Sequence, residues 1–245
     1  MPTAFPPDFA DMLAPGAARR IDRHAGALAN VPPGEAGFLS LASCLAPAAC
    51  ARGLAALEER MLPLLSRIDV PIPEATIWNQ TRSFQERLPK VARLRTAYLE
   101  RRGTRAWRAA EEIGVLDLLR SRSLRAFGEA ISGRRLGPGA GCQVLCYGAG
   151  DYMGPHHDHH PDIPGAREGY LDIHLGFSTP EVGSQRLVHA RGGHLCESVE
   201  LARQGLVNAY RLPFWHQVVP LEPRRGGDPA AARRWVLLAS FRFAR

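Results

Sequence analysis

After Gly133 the chain changes texture: short runs rich in valine, leucine and aromatic residues alternate with glycine and proline turns. The runs are Cys142 to Tyr147, Tyr170 to Phe177, Leu206 to Leu212, Trp215 to Leu221 and Trp235 to Phe243. Short strands at this spacing argue for an antiparallel sandwich or barrel.

The chain before this point reads differently. From about Ala48 to Gly133 the apolar residues recur at helical spacing. Leu54, Leu57, Met61, Leu64 and Leu65 form one stripe, Val91, Leu94 and Tyr98 a second, and Ile113, Leu116, Leu124, Phe127 and Ile131 a third. The third stripe stays on one side of a helix advanced by about 100° per residue. Three helices packed against the β body are therefore expected. The first 40 or so residues carry Pro2, Pro6, Pro7, Pro15, Pro32, Pro33 and Gly34, which predict an arm or irregular packing segment with little regular structure, draped over the body. The expected class is α+β. An arm and helical segment over 1–132 supports a β core over 133–245, the two forming one integrated domain.

Length and composition are compatible with such a domain. The 245 residues can bury a substantial core, and 45% hydrophobic with 22% charged residues is ordinary for a globular protein. The formal charge of +7 is carried almost wholly by arginine, with Lys90 the one lysine. These arginines are scattered among acids, as solvated faces are, so no dedicated nucleic-acid surface is expected. Five cysteines, Cys44, Cys50, Cys142, Cys146 and Cys196, form no close CxxC pair and read as free, mostly buried thiols. No signal peptide or membrane-length apolar stretch is visible, and a cytoplasmic setting is expected.

Eight of the nine histidines lie between His156 and His216, within the β portion. In Pro155-His156-His157-Asp158-His159-His160 the imidazole of His156 and the carboxylate of Asp158 are two residues apart. On a strand or its end, they therefore extend from the same side. His216, in Phe214-Trp215-His216-Gln217-Val218-Val219, is the distant histidine best placed on a strand to join them. Two imidazoles and one carboxylate on one face, with open positions opposite, form the arrangement that binds iron(II) for oxygen activation. The His/Asp spacing taken alone is equally that of a solvated histidine-rich loop.

The surrounding residues decide more. Tyr147-Gly148-Ala149-Gly150 precedes Pro155-His156-His157-Asp158, Gly192-Gly193-His194-Leu195 follows, and then come Gly205-Leu206-Val207, His216-Gln217-Val218 and Arg234-Trp235-Val236-Leu237-Leu238. In that order, over about Gly133 to Phe243, the set resembles the prolyl-4-hydroxylase-like branch of the 2-oxoglutarate/iron(II) dioxygenases. The resemblance implies a double-stranded β-helix core, a jelly roll of the cupin-like kind. It also implies Fe(II) at His156, Asp158 and His216, with 2-oxoglutarate and O2 as co-substrates and ascorbate as a stimulant. Succinate and CO2 are released as a substrate C–H bond is hydroxylated, desaturated or closed into a ring. Because Asp158 is present, the position that related halogenases free for chloride holds a carboxylate.

The distal carboxylate of 2-oxoglutarate would need a buried cationic partner, and a planar guanidinium can meet both of its oxygens. Arg234 is chosen over Arg233 because an apolar strand follows it directly. Arg224 and Arg225 adjoin the turn-like Gly226-Gly227-Asp228-Pro229. Tyr147 resembles the family's co-substrate tyrosine. His174, on the polar face of Tyr170-Leu171-Asp172-Ile173-His174-Leu175, is a second contact for the same carboxylate or a structural histidine. His157, His159, His160, His189 and His194 are read as non-ligands, with His159 the substitute if the ligand set is wrong.

Other readings stay open. An AlkB-type nucleic-acid demethylase carries a further arginine and an asparagine in its last strand, whereas Val236, Leu238 and Ser240 follow on the face of Arg234. A cupin-type metal-binding barrel relies on three histidines with a glutamate, a pattern not found here. A metallo-β-lactamase-like hydrolase needs a different order of histidine and aspartate. The expected partner is a small-molecule substrate, with no membrane and with a homodimer through the helical segment compatible with the sequence.

Overall fold

The computed structural model describes residues 3–31, 36–72, 88–158, 169–191 and 194–244. Its helices are α1 (Ala17–Asp22), α2 (Pro47–Ala56), α3 (Arg105–Glu112), α4 (Val115–Arg120) and α5 (Arg122–Ser132). Its strands are β1 (Gly37–Leu41), β2 (Ser66–Pro71), β3 (Val91–Tyr98), β4 (Leu136–Gly148), β5 (Tyr152–His156), β6 (Tyr170–Ser178) and β7 (Val182–Ser184). Then follow β8 (Arg186–Arg191), β9 (His194–Glu200), β10 (Leu206–Leu212), β11 (His216–Val218), β12 (Glu222–Pro223) and β13 (Arg233–Phe243).

An antiparallel sheet runs β1-β10-β6-β13-β4-β3-β5-β11-β8-β9, with β2 paired to β3 and a separate β12-β7 ribbon. It curls into a nearly closed barrel, as expected of a double-stranded β-helix. Strand alternation divides the side chains into two sets. On β13, Trp235, Leu237, Ala239 and Phe241 join the core under the helices, while Val236 joins a second cluster inside the barrel. On β6, Leu171, Ile173, Leu175 and Phe177 face the helices. On β4 the outward set is Cys142, Val144 and Cys146, and the inward set includes Leu145 and Tyr147.

The helical layer covers the outward set. Leu116, Leu118 and Leu119 of α4 and Leu124, Phe127 and Ile131 of α5 are all buried there. The third predicted stripe is not one helix. Gly114, at φ 87, starts α4, and Ser121 caps α5 by accepting a hydrogen bond from the Leu124 N–H at 3.2 Å. Ile113, Leu116 and Leu124 therefore belong to three successive short segments.

The second predicted stripe is corrected outright: Val91, Leu94 and Tyr98 lie on strand β3. The three-and-four spacing of these residues imitates a helix. The buried positions are instead Ala92, Leu94 and Thr96, alternating with Val91, Arg93 and Arg95. Pairing with β2, β4 and β5 decides in favour of the period of two. The early segment is also more regular than its prolines predict. It carries a 3-10 turn at Phe9–Met12, helix α1 and edge strand β1, which pairs with β10. Strands β1 to β3 thus put residues before Gly133 into the same sheet as those after it. Cys44, Cys50, Cys142 and Cys146 are buried thiols that form no disulfide among the described residues. No helix among the described residues is long and apolar enough to cross a membrane.

The arm is part of the core. Phe5 is 0% exposed and meets Phe177 edge-on, with ring centroids 5.8 Å apart. Its backbone N–H donates to the Ile113 carbonyl at 3.0 Å. Replacing Phe5 by alanine removes this packing, and large-to-small changes of that kind cost about 3–5 kcal/mol. The expected result is a lower urea midpoint with an unchanged slope; a midpoint equal to that of the parent protein would show that the arm is only draped over the body.

Candidate metal centre

His156 ends β5, and His216 opens β11 directly opposite it in the antiparallel register. Their ring centroids lie 4.3 Å apart. The strand is tightly held at this point. A Cβ at Gly154 would sit 2.0 Å from the Pro89 carbonyl oxygen, so only glycine lets β5 approach that backbone so closely. Past the end of β5 the chain turns through Asp158 at φ 56, a left-handed conformation that aspartate tolerates better than most residues.

Each imidazole is fixed by its own backbone. The Nδ1 of His156 is 2.7 Å from the Gly154 carbonyl oxygen, and that of His216 is 3.0 Å from the Phe214 carbonyl oxygen. A carbonyl can only accept, so both Nδ1 atoms carry a proton, and in the neutral ring Nε2 is the nitrogen left to ligate a metal. Those Nε2 atoms lie 3.2 Å and 3.3 Å from the two carboxylate oxygens of Asp158. The three ligand atoms fall within 4.8 Å of one another, a spacing at which one cation can be shared. Burial alone would raise the Asp158 carboxyl, but the pairs with His156 and His216 outweigh it and hold it well below the usual carboxylate range. It is therefore an anion.

The triad opens into a cavity of about 640 Å³. One end is walled by Arg234, whose side chain alternates into the barrel while that of Arg233 points to the helices and pairs with Glu58 at 2.5 Å. Arg234 is 4% exposed, sits 4.6 Å over the Tyr147 ring and donates from Nε to the Gln185 side-chain oxygen. Gln185 is itself fixed by donating to the carbonyls of Asp151 and Val219. Among the described residues no carboxylate pairs with Arg234. Burial lowers its pKa from the ordinary guanidinium value.

Tyr147 lines the same cavity, and burial pushes its hydroxyl up to about 12, so it stays protonated. His174 also lines it, stacked on Tyr210 with centroids 4.2 Å apart, and its Nε2 is buried with no hydrogen-bond partner among the described residues. Burial and the nearby Arg234 charge pull His174 down to about 3, which keeps it neutral. The six residues singled out in the sequence therefore all face one cavity. His189 is instead buried beside Glu197 at 3.4 Å, and His157 lies against Trp215. His159, His160 and Gly192-Gly193 lie outside the described residues, as does the His194 side chain.

Several residues escaped sequence reasoning. Gln185 orients Arg234 from 49 residues away. Ser178 stands opposite Arg234 in register with a buried hydroxyl that has no partner among the described residues. Tyr210 packs against both His174 and His216. No spacing rule reaches them; period-two alternation along β10 would have turned Tyr210 inward once β10 was aligned with β6.

Asp172 lies across from Ser240 and faces the cavity. Burial pushes its carboxyl from 3.8 up to about 7, with the Asp158 charge adding to this and a hydrogen bond with Ser240 opposing it. Between those values the folded protein holds a proton that the unfolded chain has lost, so stability falls as pH rises through that window. Asp172→Asn should therefore raise the melting temperature of the metal-free protein more at pH 8 than at pH 5. Equal shifts at both values would contradict this.

No protein-family model and no curated protein sequence matches the chain. Solved structures do. The carbocyclase SnoK from nogalamycin biosynthesis, described as non-heme and alpha-ketoglutarate-dependent, is 13% identical over 96% of this chain and 85% of its own, with a TM-score of 0.53. A 2OG-Fe(II) oxygenase-family oxidoreductase from Burkholderia pseudomallei is 13% identical over 84% of each chain, also at 0.53. A Trichoplax adhaerens prolyl hydroxylase, solved with a hypoxia inducible factor peptide fragment, is 14% identical over 92% of each chain at 0.50. The chain thus has the double-stranded β-helix fold that these 2-oxoglutarate/iron(II) oxygenase structures share.

Proposed function

We propose that the chain is a non-haem iron(II) oxygenase that uses 2-oxoglutarate and O2 to oxidise an unactivated C–H bond of a small molecule. The observation that carries this reading is the pairing of two features in one cavity. His156, Asp158 and His216 converge there with both Nδ1 atoms held by backbone carbonyls and both Nε2 atoms turned to Asp158, and Arg234 lies buried there with no anionic partner among the described residues. A two-histidine, one-carboxylate face suits Fe(II) and leaves positions for a keto acid and dioxygen. A guanidinium removed from water needs an anion, which the distal carboxylate of 2-oxoglutarate would supply.

In this reading His156, Asp158 and His216 hold the iron, and Arg234 receives the distal carboxylate. His174 Nε2, which lines the cavity and has no hydrogen-bond partner among the described residues, would donate to it, and Tyr147 remains a neutral donor beside it. The metal with its keto acid supplies the oxidising chemistry. The chain's own residues orient the co-substrate, keep the site dry and hold the substrate C–H bond nearby. The product range includes hydroxylation, desaturation and ring closure, and the buried thiols, none in a disulfide among the described residues, fit a cytoplasmic setting in which ascorbate can sustain ferrous iron.

Two experiments test this. His156→Ala and His216→Ala should each lose stoichiometric iron(II) binding and 2-oxoglutarate consumption; normal turnover by both would sink the ligand assignment. Arg234→Ala should keep metal binding yet weaken N-oxalylglycine affinity about 100-fold, the scale of losing a buried charge pair. Unchanged affinity, measured by calorimetry on manganese(II)-loaded protein, would exclude Arg234 from the keto acid site.

A further inference from the structure

The cavity has a second end that the iron and the keto acid do not use. Along β13 the inward side chains run Arg234, Val236, Leu238, Ser240 and Arg242, all of them lining the cavity. Arg234 and Ser240 are six residues apart, about 20 Å of strand. Asp158 lies within electrostatic reach of both ends: its charge raises the Tyr147 hydroxyl next to Arg234 and the Asp172 carboxyl next to Ser240.

Building on the oxygenase reading above, we propose that the Ser240 end is a subsite for a protonated amine of the substrate, with Asp172 as the anchoring carboxylate. Asp172 is 9% exposed, bonds to the Ser240 hydroxyl and has no cationic partner within ion-pair range among the described residues. A carboxylate held away from water in that state is stabilised by any cation that reaches it. Tyr170, two residues before it on β6, lines the same end with a buried hydroxyl that has no hydrogen-bond partner among the described residues. Tyr98 stands at the rim, so an ammonium group would meet a carboxylate, an open hydrogen-bond acceptor and aromatic surface together. Glu100 adds a second carboxylate at this end. The one guanidinium there among the described residues is Arg242, which is exposed at the rim and paired in register with Tyr170 rather than with Asp172. A substrate carboxylate would be repelled by Asp172, and a plain alcohol would leave its charge uncompensated.

The test uses matched probes of one shape: cyclohexylammonium, cyclohexanol and cyclohexanecarboxylate. They are titrated by calorimetry at pH 8, where Asp172 is ionised, into manganese(II)-loaded protein with N-oxalylglycine and into metal-free protein. Cyclohexylammonium should bind about tenfold or more tighter than cyclohexanol, the scale of a charge-assisted hydrogen bond. Asp172→Asn, with its fold checked by circular dichroism, should erase that preference. Equal or tighter binding of the alcohol or the carboxylate to the parent protein overturns the proposal without recourse to any variant. Failure of the ammonium probe to bind, or a preference surviving in Asp172→Asn, does the same. If manganese fails to bind, the oxygenase reading falls separately, because the metal-free titration still reports on Asp172.

Discussion

The antiparallel pairing of β11 with β5 is the interaction on which the site depends. It brings His216 opposite His156 across sixty residues of chain, close enough for one carboxylate to touch both imidazoles. Neither histidine relies on a flexible partner to set its proton: in each, the carbonyl two residues earlier in the same chain holds Nδ1. The tautomer is thus a consequence of local backbone geometry, and the register of two strands decides whether the free nitrogens meet. A one-residue slip of β11 would turn His216 to the other face of the sheet and replace it with a neighbour of different chemistry.

The helical layer acts on the site through the strands it covers. Glu58, just after α2, accepts from Arg233 and from the Trp235 indole at 2.6 Å. Those residues flank Arg234 on the opposite face of β13. Fastening both neighbours outward fixes the strand's orientation about its axis, and Arg234 is then obliged to point inward. On the inner side the Gln185 amide, held by two carbonyls, completes the constraint. A guanidinium fixed in this way loses little freedom when an anion binds, which favours tight capture.

How much of this was legible in the chain follows from the range of the interactions. The His156 and Asp158 pair obeys strand alternation within three residues, and Arg234 was distinguished from Arg233 by the apolar strand that follows it. Strand β3 was misread because Val91, Leu94 and Tyr98 fit a helical stripe, whereas the alternation of Ala92, Leu94 and Thr96 with arginines is quieter. Tertiary pairing resolved that ambiguity, and no local propensity could. Gln185, Ser178 and Tyr210 were invisible for a related reason: each matters through a partner brought alongside by sheet register, and register between distant strands is not written in either strand alone. The arm at Phe5 was underestimated because proline-rich composition describes its lack of regular hydrogen bonding and says nothing of burial.

The chain's net charge of +7 is a poor guide to its interior. Among the described residues lining the cavity, Asp158, Asp172 and Glu100 outnumber Arg234 and Arg242. The arginine excess therefore lies elsewhere, and a basic composition lends the cavity no affinity for a polyanion. What the interior does have is polarity along its length: among the described residues, a buried guanidinium without a carboxylate at one end, a buried carboxyl without a cation at the other, and the Asp158 charge within electrostatic reach of both. In the empty fold the Arg234 charge has no counter-ion among the described residues, and the Asp172 carboxyl holds its proton up to about 7, so an opposite charge would stabilise the ionised form of each. In the proposed reading a ligand completes each group, and the opposite signs at the two ends then fix the orientation in which the ligands enter.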